Sequence, residues 1–189
     1  MNYSNQQGQT AAGRYAQLQS ARSTFDREAK ESSKLTIPSL IPESTTGTRA
    51  KIKTPFQAVG ARGVNSLASK LLFALLPPST AFFKLSIDSL ELLKQGQEGL
   101  ETEIDKGLRT IETALMNEIE ISNDRVAMFE ALKHLIVGGN VLLYLTDDGL
   151  KVYPLSKFVC KRDAVGNVLE IITQESVSPN ALSPEFLEQ

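Results

Sequence analysis

The chain has 189 residues, 41% of them apolar and 22% charged, with a net charge of −2, as expected for about one globular domain. Its lone cysteine, Cys160, excludes an internal disulfide bond and fits a reducing compartment. The longest apolar block, Leu71–Pro78, is far shorter than the roughly 20 residues of a membrane span. Met1–Thr10 is polar, so we expect no secretory signal there.

The small net charge conceals a division between the two halves of the chain. Residues 1–84 carry eleven basic and four acidic side chains, and residues 85–189 carry nine basic and eighteen acidic ones. This division is compatible with two solvated surfaces within one fold. It is also compatible with head-to-tail contacts between copies, in which the basic half of one subunit meets the acidic half of the next.

The N-terminal region predicts a tail, a helix and a covering segment. Met1–Thr10 is rich in Gln and Asn and is predicted to be disordered. Residues 11–32 predict one helix with a narrow apolar stripe. Residues 35–42 contain two prolines and four Leu or Ile residues, which favours an extended segment laid over apolar surface.

Residues 43–53 predict a mobile loop, because Ser, Thr and Gly are frequent there and basic residues follow. Arg49, Lys51 and Lys53 are candidate contacts for phosphate or for a partner protein. A solvated loop explains the same three charges.

Thr54-Pro55-Phe56-Gln57 predicts a helix start, since Thr54 can cap, Pro55 suits the first helical position and Gln57 completes a capping box. Pro77-Pro78 ends this helix. Gly60 and Gly63 lie inside it, where each costs about 1 kcal/mol relative to Ala. We therefore predict a close approach of another backbone on their side, from this subunit or from another.

Two further elements follow. Phe82–Ile87 alternates after two aromatic residues and predicts a half-exposed strand at a sheet edge. Leu100–Ile121 predicts an amphipathic helix with a buried stripe of six side chains: Leu100, Ile104, Leu108, Ile111, Leu115 and Ile119. Ser122–Asp124 breaks this helix and caps the next one.

The stretch Phe129–Leu145 predicts a helix that runs into a strand. Gly138 and Gly139 stop the helix because glycine adopts the left-handed conformation without a Cβ penalty. With Asn140 they form a predicted structural hinge. The apolar run Val141–Leu145 then predicts a strand buried on both faces.

Turn residues divide the rest of the chain into short strands. Asp148-Gly149 predicts a hairpin, and a second turn lies at residues 163–167. The fold class is therefore α+β, with several amphipathic helices packed on a small antiparallel β-meander over residues 11–182. Ser183–Gln189 begins like a helix but ends after about one turn, so we expect a piece of a longer protein.

No catalytic, cofactor or metal motif is readable. His134 is the one histidine, and a surface or core histidine is the simpler interpretation than a ligand or a base. Zinc-site spacings, nucleophile elbows, Walker A loops and dinucleotide fingerprints are all missing from the sequence. Cys160 is most simply a small buried hydrophobe. We therefore predict no enzyme activity and no cofactor.

Several blocks of the sequence resemble the head-to-tail connector, or portal, proteins of short-tailed, podovirus-type bacteriophages. They are Thr54–Gly63 continuing through Asn65 and Leu67–Leu71, Phe129–Lys133 with Gly139–Leu145, Arg162–Leu169, and the shorter Thr36–Leu40. Together they lie in order across most of residues 11–175.

The resemblance implies a portal wing-like fold and a subunit of a twelve-fold ring at a capsid vertex of the virion, assembled in the bacterial host cytoplasm. Double-stranded DNA would be packaged and ejected through the ring without sequence specificity. The implied partners are other copies of the subunit, capsid and scaffold proteins, tail or adaptor proteins, and a terminase that contacts regions beyond this sequence; no membrane is implied. An alternative is a small head-completion or scaffold-binding module with a portal-like fold.

Overall fold

A computed structural model describes residues 10–42, 54–78, 80–86, 101–147 and 149–176. Over these ranges the fold is α+β, as the sequence predicts. The helices are α1 (Ala11–Ala21), α2 (Ser23–Leu35), α3 (Val59–Leu75), α4 (Glu101–Ile121) and α5 (Asp124–Gly138), and the strands are β1 (Leu142–Thr146), β2 (Gly149–Tyr153), β3 (Phe158–Arg162) and β4 (Val168–Thr173).

The N-terminal helix is interrupted, contrary to the single helix predicted for residues 11–32. Thr10, which the sequence assigned to the tail, caps α1 by accepting a hydrogen bond from the Gly13 N–H at 3.2 Å. Arg22 leaves helical geometry at φ −95° and ψ 3° and separates α1 from α2. At this point the Arg22 guanidinium bonds to carbonyl groups more than 130 residues away, while the main-chain hydrogen bonds from Arg22 to Leu18 and from Asp26 to Arg22 are kept.

The start of α3 also differs from the prediction. The helix begins at Val59 rather than within Thr54–Gln57, and Ala58 precedes it without a side-chain cap. A cap contributes only about 1 kcal/mol, so a local capping box is easily overridden. The predicted end is confirmed, since α3 stops at Leu75 before the two prolines.

The strands form two separate antiparallel hairpins, not one four-stranded meander. β1 pairs with β2, and β3 pairs with β4. A 3-10 turn at Leu155–Lys157 follows Pro154 and redirects the chain between β2 and β3. Both predicted hairpin turns are confirmed in position, with Thr146 opposite Gly149 in the first hairpin and Arg162 opposite Val168 in the second.

Two predictions of burial are wrong. β1 is largely exposed, with Leu145 at 74% of its maximal accessibility, because no element of the described chain covers this strand on both faces. On α4, Ile111 and Leu115 are exposed and Met116 is buried instead.

The described part of Phe82–Ile87 forms no strand, contrary to the prediction. There the Leu85 N–H donates to Glu112 Oε1 at 2.5 Å.

The core forms where α5 meets the other elements. It consists of buried side chains from α2, α3, α5, β2, the 3-10 turn and β3, and from the segment after α2: Ala29, Ile41, Val64, Val137, Tyr153, Leu155 and Phe158. The predicted covering role of residues 35–42 is met by turns, not by extended chain, and Ile37 and Leu40 pack on this core.

The first turn of α5 ties three elements together. Asp124 accepts a hydrogen bond from the Leu150 N–H at 2.8 Å, which anchors the start of β2. Arg125 donates to the Leu76 carbonyl at 2.7 Å. A cation at the C-terminal end of α3 also interacts favourably with the helix dipole. α5 therefore organises the fold from both ends.

Candidate functional site

The helix-to-strand junction lies at the C-terminal end of α5. Gly139 adopts φ 70° and ψ −14°, in the left-handed region, and its N–H donates to the Leu135 carbonyl at 2.8 Å. A Cβ built on Gly139 would lie 3.3 Å from Phe25 Cζ of α2. Gly138 is the last residue of α5, and a Cβ there would lie 3.2 Å from Ile41 Cδ1. Asn140 is half-buried and connects this turn to β1.

The two glycines of α3 occupy different environments. A Cβ on Gly60 would lie 2.4 Å from the Leu35 carbonyl oxygen and 3.1 Å from Thr36 Cα. The backbone that approaches Gly60 is therefore the C-terminal end of α2 in the same subunit. A Cβ on Gly63 would meet no described atom within 4 Å, so this position faces open space.

Arg22 joins the helical layer to the second hairpin. Its guanidinium donates to the Phe158 carbonyl at 3.0 Å and to the Leu155 carbonyl at 2.9 Å, and its Nε lies 2.8 Å from Asp26 Oδ1. The guanidinium carbon also lies 5.8 Å from the centre of the Phe158 ring. Sequence reasoning gave this residue no role. The available signal was its position on the apolar stripe of a helix, where an arginine needs a partner.

Two further contacts hold α1 against this hairpin and the 3-10 turn that precedes it. Arg14 forms a forked ion pair with Glu170 of β4, with the shortest N–O distance at 2.9 Å. The hydrogen bond from Arg14 lowers the pKa of the Glu170 carboxyl below its ordinary value of 4.5. The Tyr15 hydroxyl donates to the Ser156 carbonyl at 3.2 Å. These bonds fix the position of α1 against β4 and the 3-10 turn.

Buried polar groups elsewhere serve the fold. Ser33 is fully buried; its hydroxyl donates to the Ile37 carbonyl and accepts from the Ile41 N–H. His134 is 5% exposed, with Nε2 3.8 Å from a Glu130 carboxylate oxygen and Nδ1 without a hydrogen-bond partner among described groups. Burial lowers the pKa of His134 below 6.5, although Glu130 acts in the opposite direction.

The remaining candidates form no chemical cluster. Cys160 is a free, half-buried thiol in β3. No group of three His, Cys, Asp or Glu side chains suited to a metal ion occurs among the described residues. Arg49, Lys51 and Lys53 lie outside the described ranges. None of the helices in the described ranges has the length and apolar character needed to cross a membrane.

Large apolar side chains are exposed on several elements. They lie on α3, α4, β1 and β4, and include Val59, Phe73, Ile111, Ile121, Leu143, Leu145 and Leu169. Isolated exposed apolar residues are normal, but contiguous ones mark interaction surfaces. The described residues thus form a core joined by internal polar contacts, and they expose apolar side chains at the surface.

Comparison with known proteins identifies the class to which this arrangement belongs. The family model described as bacteriophage head to tail connecting protein matches residues 8–188. The chain belongs to this family, which confirms the resemblance read from the sequence blocks.

Individual relatives carry the name portal protein. The chain is 42% identical over 180 residues to the portal protein of Escherichia phage T7 and 42% identical over 179 residues to that of Enterobacteria phage T3. In both cases the alignment covers 91% of this chain and 33% of the relative. The portal protein of Enterobacteria phage SP6 is 31% identical over 173 residues, covering 86% of this chain and 32% of the relative. The chain thus spans about a third of the length of these relatives.

Proposed function

We propose that the chain is the wing part of a portal subunit, and that copies of this subunit form a ring of about twelve at one capsid vertex. The observation that carries the proposal is the match of residues 8–188 to the head-to-tail connecting family, with portal proteins at 42% identity. In this function the ring is the passage through which double-stranded DNA enters and leaves the virion. The subunit has no catalytic centre of its own, and a separate terminase supplies ATP hydrolysis.

Two features of the fold support a structural role. The bonds of Arg14, Tyr15 and Arg22 tie the N-terminal helices to the β3–β4 hairpin and to the 3-10 turn before it, over more than 130 residues of sequence separation. At the same time, apolar side chains on α3 and α4 remain exposed. A subunit that must keep its shape within a large assembly needs both internal ties and outward contact surfaces.

The proposed partners follow from the function. Capsid and scaffold proteins meet the ring from the head, and tail or adaptor proteins meet it from the other side. The basic segment containing Arg49, Lys51 and Lys53 is a proposed contact for DNA phosphate or for one of these proteins. We propose the virion as the final location, after assembly in the host cytoplasm.

The mass of the assembled particle tests the proposal. The full-length protein is purified and examined by native mass spectrometry and by electron microscopy of stained particles. We expect closed rings of about twelve subunits. Monomers at all concentrations would overturn the ring and favour a small head-completion or scaffold-binding module. A second measurement follows DNA: heads assembled without this protein should contain no nuclease-protected genome.

A further inference from the structure

The outer face of α3 has a regular pattern that the core does not use. Val64 and Ala68 point to the interior and are buried. On the other side, exposed residues recur at intervals of four and three along the helix: Val59, Gly63, Ser66, Lys70 and Phe73. Val59 is 69% and Phe73 61% exposed. Intervals of four and three are the heptad spacing by which one helix packs along another.

α4 carries a second outer face with the same spacing. Its members are exposed residues of the acidic half of the chain: Gly107, Ile111, Ala114, Glu118 and Ile121. Ile111 is 50% and Ile121 81% exposed. A Cβ on Gly107 would meet no described atom within 4 Å, as at Gly63. Both faces therefore combine small residues, which permit close approach, with large apolar side chains that lack a cover among the described residues.

The two faces are complementary when the helices run parallel. Aligning Val59 with Gly107 places each of the two glycines opposite a branched apolar residue. The resulting pairs are Val59 with Gly107, Gly63 with Ile111, Ser66 with Ala114, Lys70 with Glu118, and Phe73 with Ile121. The one cation therefore faces the one anion. The antiparallel alignment would set Lys70 against Ile111 and Gly63 against Glu118, which loses the ion pair.

Pairing each face with its own copy gives no ion pair, since in the antiparallel arrangement Lys70 would face Gly63 and Glu118 would face Ile111. Two α3 faces in parallel would oppose Lys70 to Lys70, and two α4 faces would oppose Glu118 to Glu118, so like charges would meet. Neither Lys70 nor Glu118 forms an ion pair with another described residue, so both charges remain available to a partner. Since both faces are exposed in the same subunit, they do not cover each other within it.

We propose that the outer face of α3 of one subunit packs, in this parallel register, on the outer face of α4 of the next subunit. The proposal rests on the proposed ring function and names the surfaces that would build the ring. Contacts between two different faces are heterologous, and they close into a ring when the rotation per subunit permits. The contact joins Lys70, from the basic first half of one chain, to Glu118, from the acidic second half of the next, so it agrees with the charge division of the sequence.

A charge exchange in the full-length protein tests the register. The variants are Lys70→Glu, Glu118→Lys and the double variant, studied by native mass spectrometry and sedimentation velocity at low salt concentration. Each single variant should raise the subunit concentration needed for half-assembly by about tenfold or more, because like charges then meet at the contact. The double variant should restore assembly. Asp105→Lys, an equal change of charge at an exposed position on another side of α4, is the matched control and should assemble normally.

A steric variant provides an independent readout. Gly63→Leu should block assembly while the isolated subunit keeps its far-ultraviolet circular dichroism, because nothing in the described subunit lies within 4 Å of that position. If the wild type forms rings, and the single charge variants and Gly63→Leu assemble equally well, the proposed contact is overturned and the ring function stands. Failure of the double variant to restore assembly would overturn the parallel register. A wild-type protein that forms no ring would overturn the contact and the proposed function together.

Discussion

Replacing Gly60 with Ala tests how α2 and α3 meet. A Cβ at this position would lie 2.4 Å from the Leu35 carbonyl oxygen, a distance that real Cβ atoms essentially never show. The colliding atom belongs to the backbone at the end of α2, so no side-chain rotation can relieve the contact. α3 would have to move away from α2, and the core residue Val64, one turn further along α3, would move with it.

The neighbouring Gly63 allows the magnitude to be worked out. Gly-to-Ala replacement in a helix interior contributes about 1 kcal/mol of stability, and it contributes less at Gly60, which is the second residue of α3. At Gly63 a Cβ meets nothing within 4 Å, so Gly63→Ala should raise the free energy of unfolding by about that amount. At Gly60 the collision adds an overpacking cost of about 1–3 kcal/mol. The difference between the two variants contains this cost together with the smaller helix-propensity gain in the first turn of α3.

Urea unfolding followed by circular dichroism measures the difference. Both variants are compared with wild type at a protein concentration where sedimentation shows monomers, because assembly would otherwise add to apparent stability. We expect the midpoint of Gly63→Ala to rise and that of Gly60→Ala to fall below it. Equal shifts in the same direction would refute the close approach of Leu35 to α3.

Three other perturbations address the junction, the arginine tie and the buried histidine. Gly139→Val should destabilise the fold by about 2 kcal/mol or more, because φ 70° disfavours a branched side chain and the new Cβ meets the Phe25 ring, as thermal unfolding would show. Arg22→Lys should cost about 1–3 kcal/mol in urea unfolding, because an ammonium group cannot reproduce the forked donation to two carbonyls. Burial lowers the pKa of His134 in the folded chain, so below about pH 6.5 the unfolded chain binds a proton more readily than the folded chain does. Stability should therefore fall from pH 7 to pH 5, and His134→Gln should flatten this dependence.

Each of these has a control and a contrary outcome. In Gly138→Ala the one tight contact of the new Cβ is with the movable end of the Ile41 side chain, so the variant should cost less than about 1 kcal/mol. A loss as large as that of Gly139→Val would show that the backbone constraint is not specific to Gly139. Arg27→Lys, at an exposed position of α2, should be neutral, and an equal effect at Arg22 and Arg27 would argue against the tie. A pH dependence unchanged in His134→Gln would assign the titration to another group.

Long-range polar contacts explain why some elements escaped prediction. No glycine or proline marks the break between α1 and α2, where the Arg22 side chain bonds to the carbonyls of Leu155 and Phe158. A helical pattern reports neighbours within a few residues, so it contains no record of such partners.

Burial was harder to predict than secondary structure. The spacing along α4 correctly indicates a helix, and the run Val141–Leu145 correctly indicates a strand displaced by one residue. Yet Ile111, Leu115 and Leu145 are exposed. Periodicity identifies which side chains share a face, but it does not say whether this chain supplies a layer to cover that face.

The sequence by itself determined the α+β class, the two hairpin turns and the family, because turn chemistry and apolar spacing are local and the blocks that resemble the family lie in order along the chain. The tertiary structure decided that the strands divide into two hairpins, that Gly60 rather than Gly63 meets a neighbouring backbone, and that α3 and α4 turn apolar faces outward. These outcomes depend on contacts between distant segments, whose free energies exceed the roughly 1 kcal/mol of a local cap or propensity.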